Sequence, residues 1–210
     1  MRIFAVDVSE WEHISNVMHM IEAEMPPLRG VIHTAGIQDD NLLLNMDQQQ
    51  FRKVMAAKVQ GAWNLHVLTA AMSLDFFVLY SSIASFLHKV GVSNYAAANA
   101  FLDGLAHYRR SQGLTGLSIN WGAWAEVGFL AKISAETREL WTTSEGVEPM
   151  PTQLGIQLFE CLLNQAGAQY GAFVIHWAHW SKYFVSNKIC LLYTSPSPRD
   201  LSTSRMPSSA

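Results

Sequence analysis

The stretch Phe76–Arg110, FFVLYSSIASFLHKVGVSNYAAANAFLDGLAHYRR, decides the fold. Its first residues, Phe76–Tyr80, are apolar without alternation and too few for a buried helix, which predicts an interior strand of a parallel sheet. Ser81 and Ser82 mark the C-terminal end of that strand, the edge at which ligands sit in open α/β sheets. From Asn94 onward, Ala98, Phe101, Leu102 and Leu105 recur at helical spacing. Tyr95 and Asn99 therefore lie four apart on one helix face. Ser82, Tyr95 and Asn99 are predicted to converge. Each alone also has a plainer reading: a serine pair after a strand suits turn or cap chemistry, and a tyrosine near a helix start suits packing with a wet hydroxyl.

Upstream, Asp47–Met72 places Phe51, Met55, Ala62, Leu65 and Leu68 at spacings of three, four or seven, an amphipathic helix. Lys58 falls in the same stripe, either as a buried functional group or with its ammonium snorkelling to water. Nearer the start, Ile3–Val6 reads as a short strand ending at Asp7-Val8-Ser9, with Ser9 as cap of a helix carrying Trp11, Ile14, Val17, Met18 and Ile21. Pro26-Pro27 stops that helix, and Gly30-Val31-Ile32-His33 begins the next strand. Thr34-Ala35-Gly36 follows at its end, where the missing side chain of Gly36 admits a ligand close to the backbone.

Downstream, the strand Leu117–Asn120 runs into Trp121-Gly122-Ala123-Trp124. Residues 129–151, with Gly146, Pro149 and Pro151, suit a mobile lid. A last helix has Leu154, Leu158 and Leu162 on one face, and Ala172–Trp177 suits a strand at the sheet edge. Alternating strands and helices predict an α/β, doubly wound parallel sheet with helices on both faces.

Composition narrows the function. No Lys/Arg cluster supplies the footprint of phosphate-backbone binding, so no nucleic-acid partner is expected. No run of 18 apolar residues occurs and Met1–Asp7 lacks the build of a signal peptide, so no membrane partner is expected and a cytoplasmic location is. His176 and His179 flank Trp177 without a cysteine or carboxylate nearby, a poor metal set, and no metal is expected. Cys161, alone on an apolar helical stretch, reads as a small core residue of a reducing compartment.

The end of the chain reads differently. Residues 190–210, CLLYTSPSPRDLSTSRMPSSA, resemble a sequencing-library adapter translated in frame, with a transposase end, an index-sized gap and a flow-cell primer. They are expected to be non-native and are set aside from fold reasoning. Leaving out Arg199, Arg205 and Asp200 lowers 14 basic and 17 acidic residues to 12 and 16, a net charge of −4.

The serine, tyrosine and helical lysine resemble the short-chain dehydrogenase/reductase superfamily. There a lysine usually stands four residues after the tyrosine, where this chain has Asn99. That departure is similar to the ketoreductase domains of modular polyketide synthases. Their NYAAANAFLD stretch resembles Asn94–Asp103, and their lysine lies upstream, matching Lys58 in K-x-x-G-x-x-x-L with Gly61 and Leu65. The segment SINWGAWAEVG, Ser118–Gly128, is also similar.

The resemblance covers Ile3 to about Phe184 and implies a Rossmann-like fold that reduces a β-ketoacyl thioester. NADPH would be the cofactor and an acyl carrier protein of the same synthase the partner. It assigns Tyr95 as proton donor, helped by a Lys58 ammonium that lowers its pKa, Ser82 to the ketone oxygen, and Asn99 to Lys58 or a relay water. Asp7 and Val8 would meet the adenine. His33, Thr34, Ala35 and Gly36, with Lys58, Trp121 and Gly122, would meet the ribose and nicotinamide. Trp124 would wall the substrate cleft. Ile37-Gln38-Asp39-Asp40 resembles the LDD fingerprint of the B-type class that forms an L-configured alcohol. Asp39 and Asp40 with Leu87, eight before Tyr95, would orient the substrate. The alternative is that both aspartates cap a helix starting near Asn41.

The family also opens with a G-x-G-x-x-G turn that holds the pyrophosphate, and none occurs here. Residues 1–189 are accordingly expected to be the C-terminal two-thirds of such a domain, inactive as they stand. A non-catalytic ketoreductase remnant and a stand-alone reductase of a free small molecule are the alternatives.

Overall fold

The computed structural model describes residues 1–87, 90–128, 146–178 and 180. The expected tail and residues 129–145 of the expected lid lie outside the described residues, as does His179.

Four strands form a parallel sheet in the order β1-β2-β3-β5: β1 Gly30–His33, β2 Phe76–Ser82, β3 Leu117–Trp121 and β5 Gln169–Ala172. Phe77 and Leu79 of β2 face one way, onto α1 (Trp11–Glu24), α3 (Gly61–Thr69) and α4 (Ser93–Ser111), through Ile14, Val17, Ala62, Leu65, Leu102, Leu105 and Ala106. Val78 faces the other way and joins Leu117, Ile119, Trp121 and Ala172 beneath Leu158 and Phe159 of α5 (Thr152–Leu163). The doubly wound α/β arrangement is as expected. Layers on both faces explain why β2 is apolar without alternation.

The helix expected over Asp47–Met72 is two helices around a π-turn. α2 spans Gln48–Met55, its start set by a capping box: Asp47 accepts from the Gln50 N–H, and the Gln50 side chain accepts from the Asp47 N–H. A π-turn, Ala56–Gln60, then leads into α3. Its extra residue shifts the buried stripe, so Val54 is fully buried while Phe51, expected in the stripe, is exposed.

Other expectations are corrected. Ile3–Val6 is not a strand, and Ser9 does not cap α1; Glu10 holds that position, and Ser9 donates from its N–H and hydroxyl to Asp7. The edge strand is Gln169–Ala172 rather than Ala172–Trp177, because the chain leaves the sheet at Phe173 and β6 (Val174–Ile175) pairs antiparallel with β4 (Val147–Glu148). The C-terminal end of the expected lid is therefore anchored: Met150 is fully buried and exchanges backbone hydrogen bonds with Ala123 and Ala125. Cys161 is exposed, on the outer side of α5.

Candidate active site

The C-terminal ends of β1 and β2 meet the start of α4 and the π-turn. Ser82 ends β2 and caps the short turn Ile83–Ser85, its Oγ accepting from the Ala84 N–H at 3.2 Å. Tyr95 lies in the first turn of α4, where Asn94 holds the entry: its side chain accepts from the Tyr95 N–H and donates to the Asp39 carbonyl, tying α4 to the loop after β1. The Ser82 and Asn99 side chains face the Tyr95 hydroxyl and favour its ionised form. Asn99 is fully buried, its Nδ2 donates to the Tyr95 carbonyl, and its Oδ1 has no partner.

Lys58 completes the group. It sits in the middle of the π-turn, 4% exposed, with its Nζ donating to the Tyr80 carbonyl at 2.8 Å and lying 5.5 Å from the Tyr95 ring centroid. The four side chains singled out from sequence thus come together from three elements. Burial pulls the Lys58 ammonium down to about 8, against the field of Asp103, which favours its charge. Burial pushes the Tyr95 phenol up, the nearby Asn99 and Ser82 side chains offset only part of that, and the charge of Asp40 adds to it. The expected lowering of Tyr95 by Lys58 is not what the geometry produces, since burial outweighs it.

Two details place Lys58, and neither is visible in the sequence. Its stem crosses the face of Gly36, where a Cβ would stand 2.9 Å from Lys58 Cε. Gly36 thus makes room for the lysine, whatever ligand also approaches it. Behind the π-turn, His33 is 3% exposed beside the Ala57 and Lys58 backbone, and its Nε2 has no partner. Burial and the nearby Lys58 charge hold its pKa down at about 4, so the ring is neutral. Gly36→Ala should leave the fold intact but push the Lys58 head out of line and, if Lys58 takes part in a reaction, lower kcat by about 10², the scale of an ångström misplacement. Steady-state kinetics beside a melting curve check this; unchanged kcat would show that Lys58 has slack.

The ends of the sheet also separate side chains open to a ligand from those turned inward. Thr34 and Gly36 are exposed, and Ala35 is half-buried. Val8 packs its Cγ1 against Gly61, and its carbonyl accepts from Asn64. Asp7 is exposed and held below the ordinary carboxylate range by its bonds from Ser9. Four residues assigned to a ligand from sequence also have packing partners inside the fold. The His33 ring serves the π-turn. Trp121 is 4% exposed in the α5 layer against Tyr80 and Trp124, so its indole reaches no cleft. Gly122 abuts Phe173, where a Cβ would stand 2.7 Å from Phe173 Cβ. Trp124 lies across Gly155 of α5.

Among known proteins, the KR domain family matches residues 1–126. The chain belongs to the KR domain family, the ketoreductase domains of modular polyketide synthases. It is 39% identical over 163 residues to the phenolphthiocerol synthesis polyketide synthase type I Pks15/1 of Mycobacterium bovis, covering 77% of this chain and 8% of that protein. It is 41% identical over 157 residues to polyketide synthase GfsE of Streptomyces halstedii, covering 75% of this chain and 4% of that protein. A structure of A-type ketoreductases from a modular polyketide synthase superposes with TM-score 0.83 at 35% identity, covering 95% of this chain and 41% of that one. The chain thus spans less than half of the solved structures it matches and under a tenth of these synthases.

In this ketoreductase the loop after β1 does not cap a helix near Asn41, since α2 starts at Gln48. Asp39 instead accepts from Lys53 Nζ at 2.9 Å and Gln50 Nε2 at 3.1 Å, which hold its carboxyl below the ordinary range. Asp40 is exposed, and its charge reaches Tyr95. Leu87 ends the Ile83–Ser85 turn, donating its N–H to the Ile83 carbonyl at 2.7 Å. Among the described residues no group of His, Cys, Asp and Glu could hold a metal ion, and no helix is long and apolar enough to cross a membrane.

Proposed function

We propose that these residues form the catalytic part of a reductase that uses NADPH to convert a β-ketoacyl thioester, carried on an acyl carrier protein of the same synthase, into a β-hydroxyacyl thioester. The convergence of Lys58, Ser82, Tyr95 and Asn99 at the C-terminal sheet edge carries the reading. The reducing end of a nicotinamide cofactor fits this edge: the residues following β1 are open, a cation stands beside them, and the Asn99 Oδ1 is buried without a partner. Thr34, Ala35, Gly36 and Lys58 would hold that end, with Asp7 and Val8 nearer the adenine. Bound there, the cofactor supplies hydride to the ketone carbon. The pyrophosphate has no Gly-rich turn in this sequence, so the activity belongs to a domain-length protein.

Ser82 donates a hydrogen bond to the ketone oxygen, and Tyr95 donates another. Negative charge grows on that oxygen during reduction, so both bonds strengthen in the transition state. Tyr95 then gives up its proton to the oxygen. A buried phenol above its ordinary pKa keeps the proton until the alkoxide, a far stronger base, forms. The charged Lys58, beside the ring, stabilises the phenolate left behind. Asn99 offers its free Oδ1 to a water that returns the proton.

The rim supports a choice of product hand. Asp40 projects its field onto Tyr95 from the loop after β1, and Leu87 stands on the opposite segment. A carboxylate on one rim steers the side from which the thioester arm enters. The A-type structure on which the chain superposes is 35% identical in sequence, and the entry side rests on Asp40 alone. Incubating the domain-length protein with NADPH and a β-ketoacyl N-acetylcysteamine thioester should yield the L-configured β-hydroxy product on a chiral column. No NADPH oxidation would reject the reductase reading, and a D-configured product would reject the role of Asp40 alone.

A further inference from the structure

Strand β3, LSINW, alternates apolar and polar residues, yet Ser118 and Asn120 are sealed, 0% and 1% exposed, beneath α4. Their partner is Asp103, itself 8% exposed. Ser118 Oγ donates to Asp103 Oδ1 at 2.6 Å, and Asn120 Nδ2 lies 3.0 and 2.9 Å from the two carboxylate oxygens. The same amide lies 3.0 Å from Ser81 Oγ and 2.9 Å from Ser85 Oγ, while Asn120 Oδ1 accepts from Gln169. Ser81 in turn donates to the Asn99 carbonyl at 3.2 Å.

This network holds a buried carboxylate that, among the described residues, has no cation within ion-pair distance. Across the β2–α4 contact lies its converse, a buried ammonium, Lys58, whose one hydrogen bond goes to a neutral carbonyl. Neither charge is solvated, so neither is screened, and each is the natural counter-field of the other. Asp103 also follows Asn99 by four residues and Tyr95 by eight, on the same face of α4.

We propose that Asp103 is a positioning residue of the reductase: its buried carboxylate keeps the Lys58 ammonium charged, and through Asn120 and Ser81 it fixes the backbone at Asn99. Its value for catalysis rests on the function proposed above; its electrostatic effect does not. Among the described residues, the titratable side chains facing Lys58 are His33 from β1 and Tyr95 and Asp103 from α4, whereas Tyr80 offers only its carbonyl and turns its ring to the α5 layer. His33 is neutral through the relevant range, and the Tyr95 phenol, pushed up by burial, titrates above it. Asp103 is the one anion of the set, and its field agrees in direction with the upward pull on Lys58.

The test reads Lys58 directly. In domain-length protein labelled with ¹³C-lysine, the Cε signal of Lys58, assigned by its loss in Lys58→Met, should titrate near 8. Asp103→Asn should lower that midpoint by about one unit, the usual scale of one lost opposite charge. Ser118→Ala removes a hydrogen bond but keeps the carboxylate, and should titrate with the unmodified protein. Asp103→Ser is read in the same way should Asp103→Asn fail to fold. An unshifted midpoint in a folded neutral variant overturns the proposal. So does an equal shift in Ser118→Ala, or unfolding of both neutral variants while Ser118→Ala folds. The alkaline limb of kcat against pH should move with the midpoint. A moving midpoint with a fixed limb would leave the Asp103 assignment standing and place the error in the catalytic role of Lys58.

Discussion

Tyr95→Phe is expected to lower kcat by about 10² or more, the usual size of a lost general acid, with cofactor affinity nearly unchanged. Phenylalanine keeps the ring that packs beside Lys58, so the change removes one hydroxyl and little else. That hydroxyl faces the Ser82 and Asn99 side chains. Under the proposed mechanism its loss would withdraw both the proton and one of two hydrogen bonds to the forming alkoxide, interactions strongest in the transition state. Because the phenol is pushed up by burial, the wild-type donor stays protonated well beyond neutral pH. The alkaline fall in rate should therefore follow Lys58, near 8, before it follows Tyr95. Single-turnover reduction by the domain-length protein separates the chemical step from product release, and turnover within threefold of the unmodified enzyme would remove Tyr95 from the chemistry.

Lys58→Met should have opposite effects on activity and stability. Activity should fall by about 10², since the charge that stabilises the phenolate disappears. The fold should gain. A lysine whose pKa drops from 10.5 to about 8 on folding favours the unfolded state at any pH where it is charged there. This cost is present in full below about 8 and fades as pH rises towards 10.5. At 1.36 kcal/mol per unit it is about 3 kcal/mol at neutral pH. The hydrogen bond lost at the Tyr80 carbonyl gives back about 1 kcal/mol, for a net gain of about 2 kcal/mol. Urea midpoints at pH 7 and pH 10 check the sign: the gain should be larger at pH 7. A destabilised Lys58→Met protein at both values would mean that the ammonium is better compensated than its contacts indicate.

Much of this site was legible before any coordinates. Tyr95 and Asn99 lie on one turn of one helix, and Ser82 ends the strand that feeds it, so local geometry alone brings them near each other. Lys58 stood out as a charge in an apolar stripe. The loop after β1 was harder, because two adjacent aspartates suit a helix cap as well as a cleft rim, and only the start of α2 at Gln48 separates the two. Asp103 and Asn120 gave no signal. In LSINW, the alternation of Ser118 and Asn120 reads as a wet face, and only the cover of α4 turns it into a buried polar network.

Sequence by itself determined the alternation of strands and helices around a parallel sheet and singled out all four site candidates, because those follow from side-chain period, chain connectivity and a charge placed in an apolar stripe. The tertiary structure decided what depends on contacts between distant segments. A π-turn adds one residue without any mark in composition, and it both buries Lys58 and moves Phe51 to the surface. Gly36 is needed by a lysine 22 positions away rather than by a turn. Arg109, at a helix end where sequence suggests solvent, is 1% exposed, stacked 3.7 Å from the Phe77 ring centroid and bonded to Thr115 and His66. Burial sets the charge of each of these groups, and burial belongs to the packed layers, so no reading of spacing along one chain can supply it.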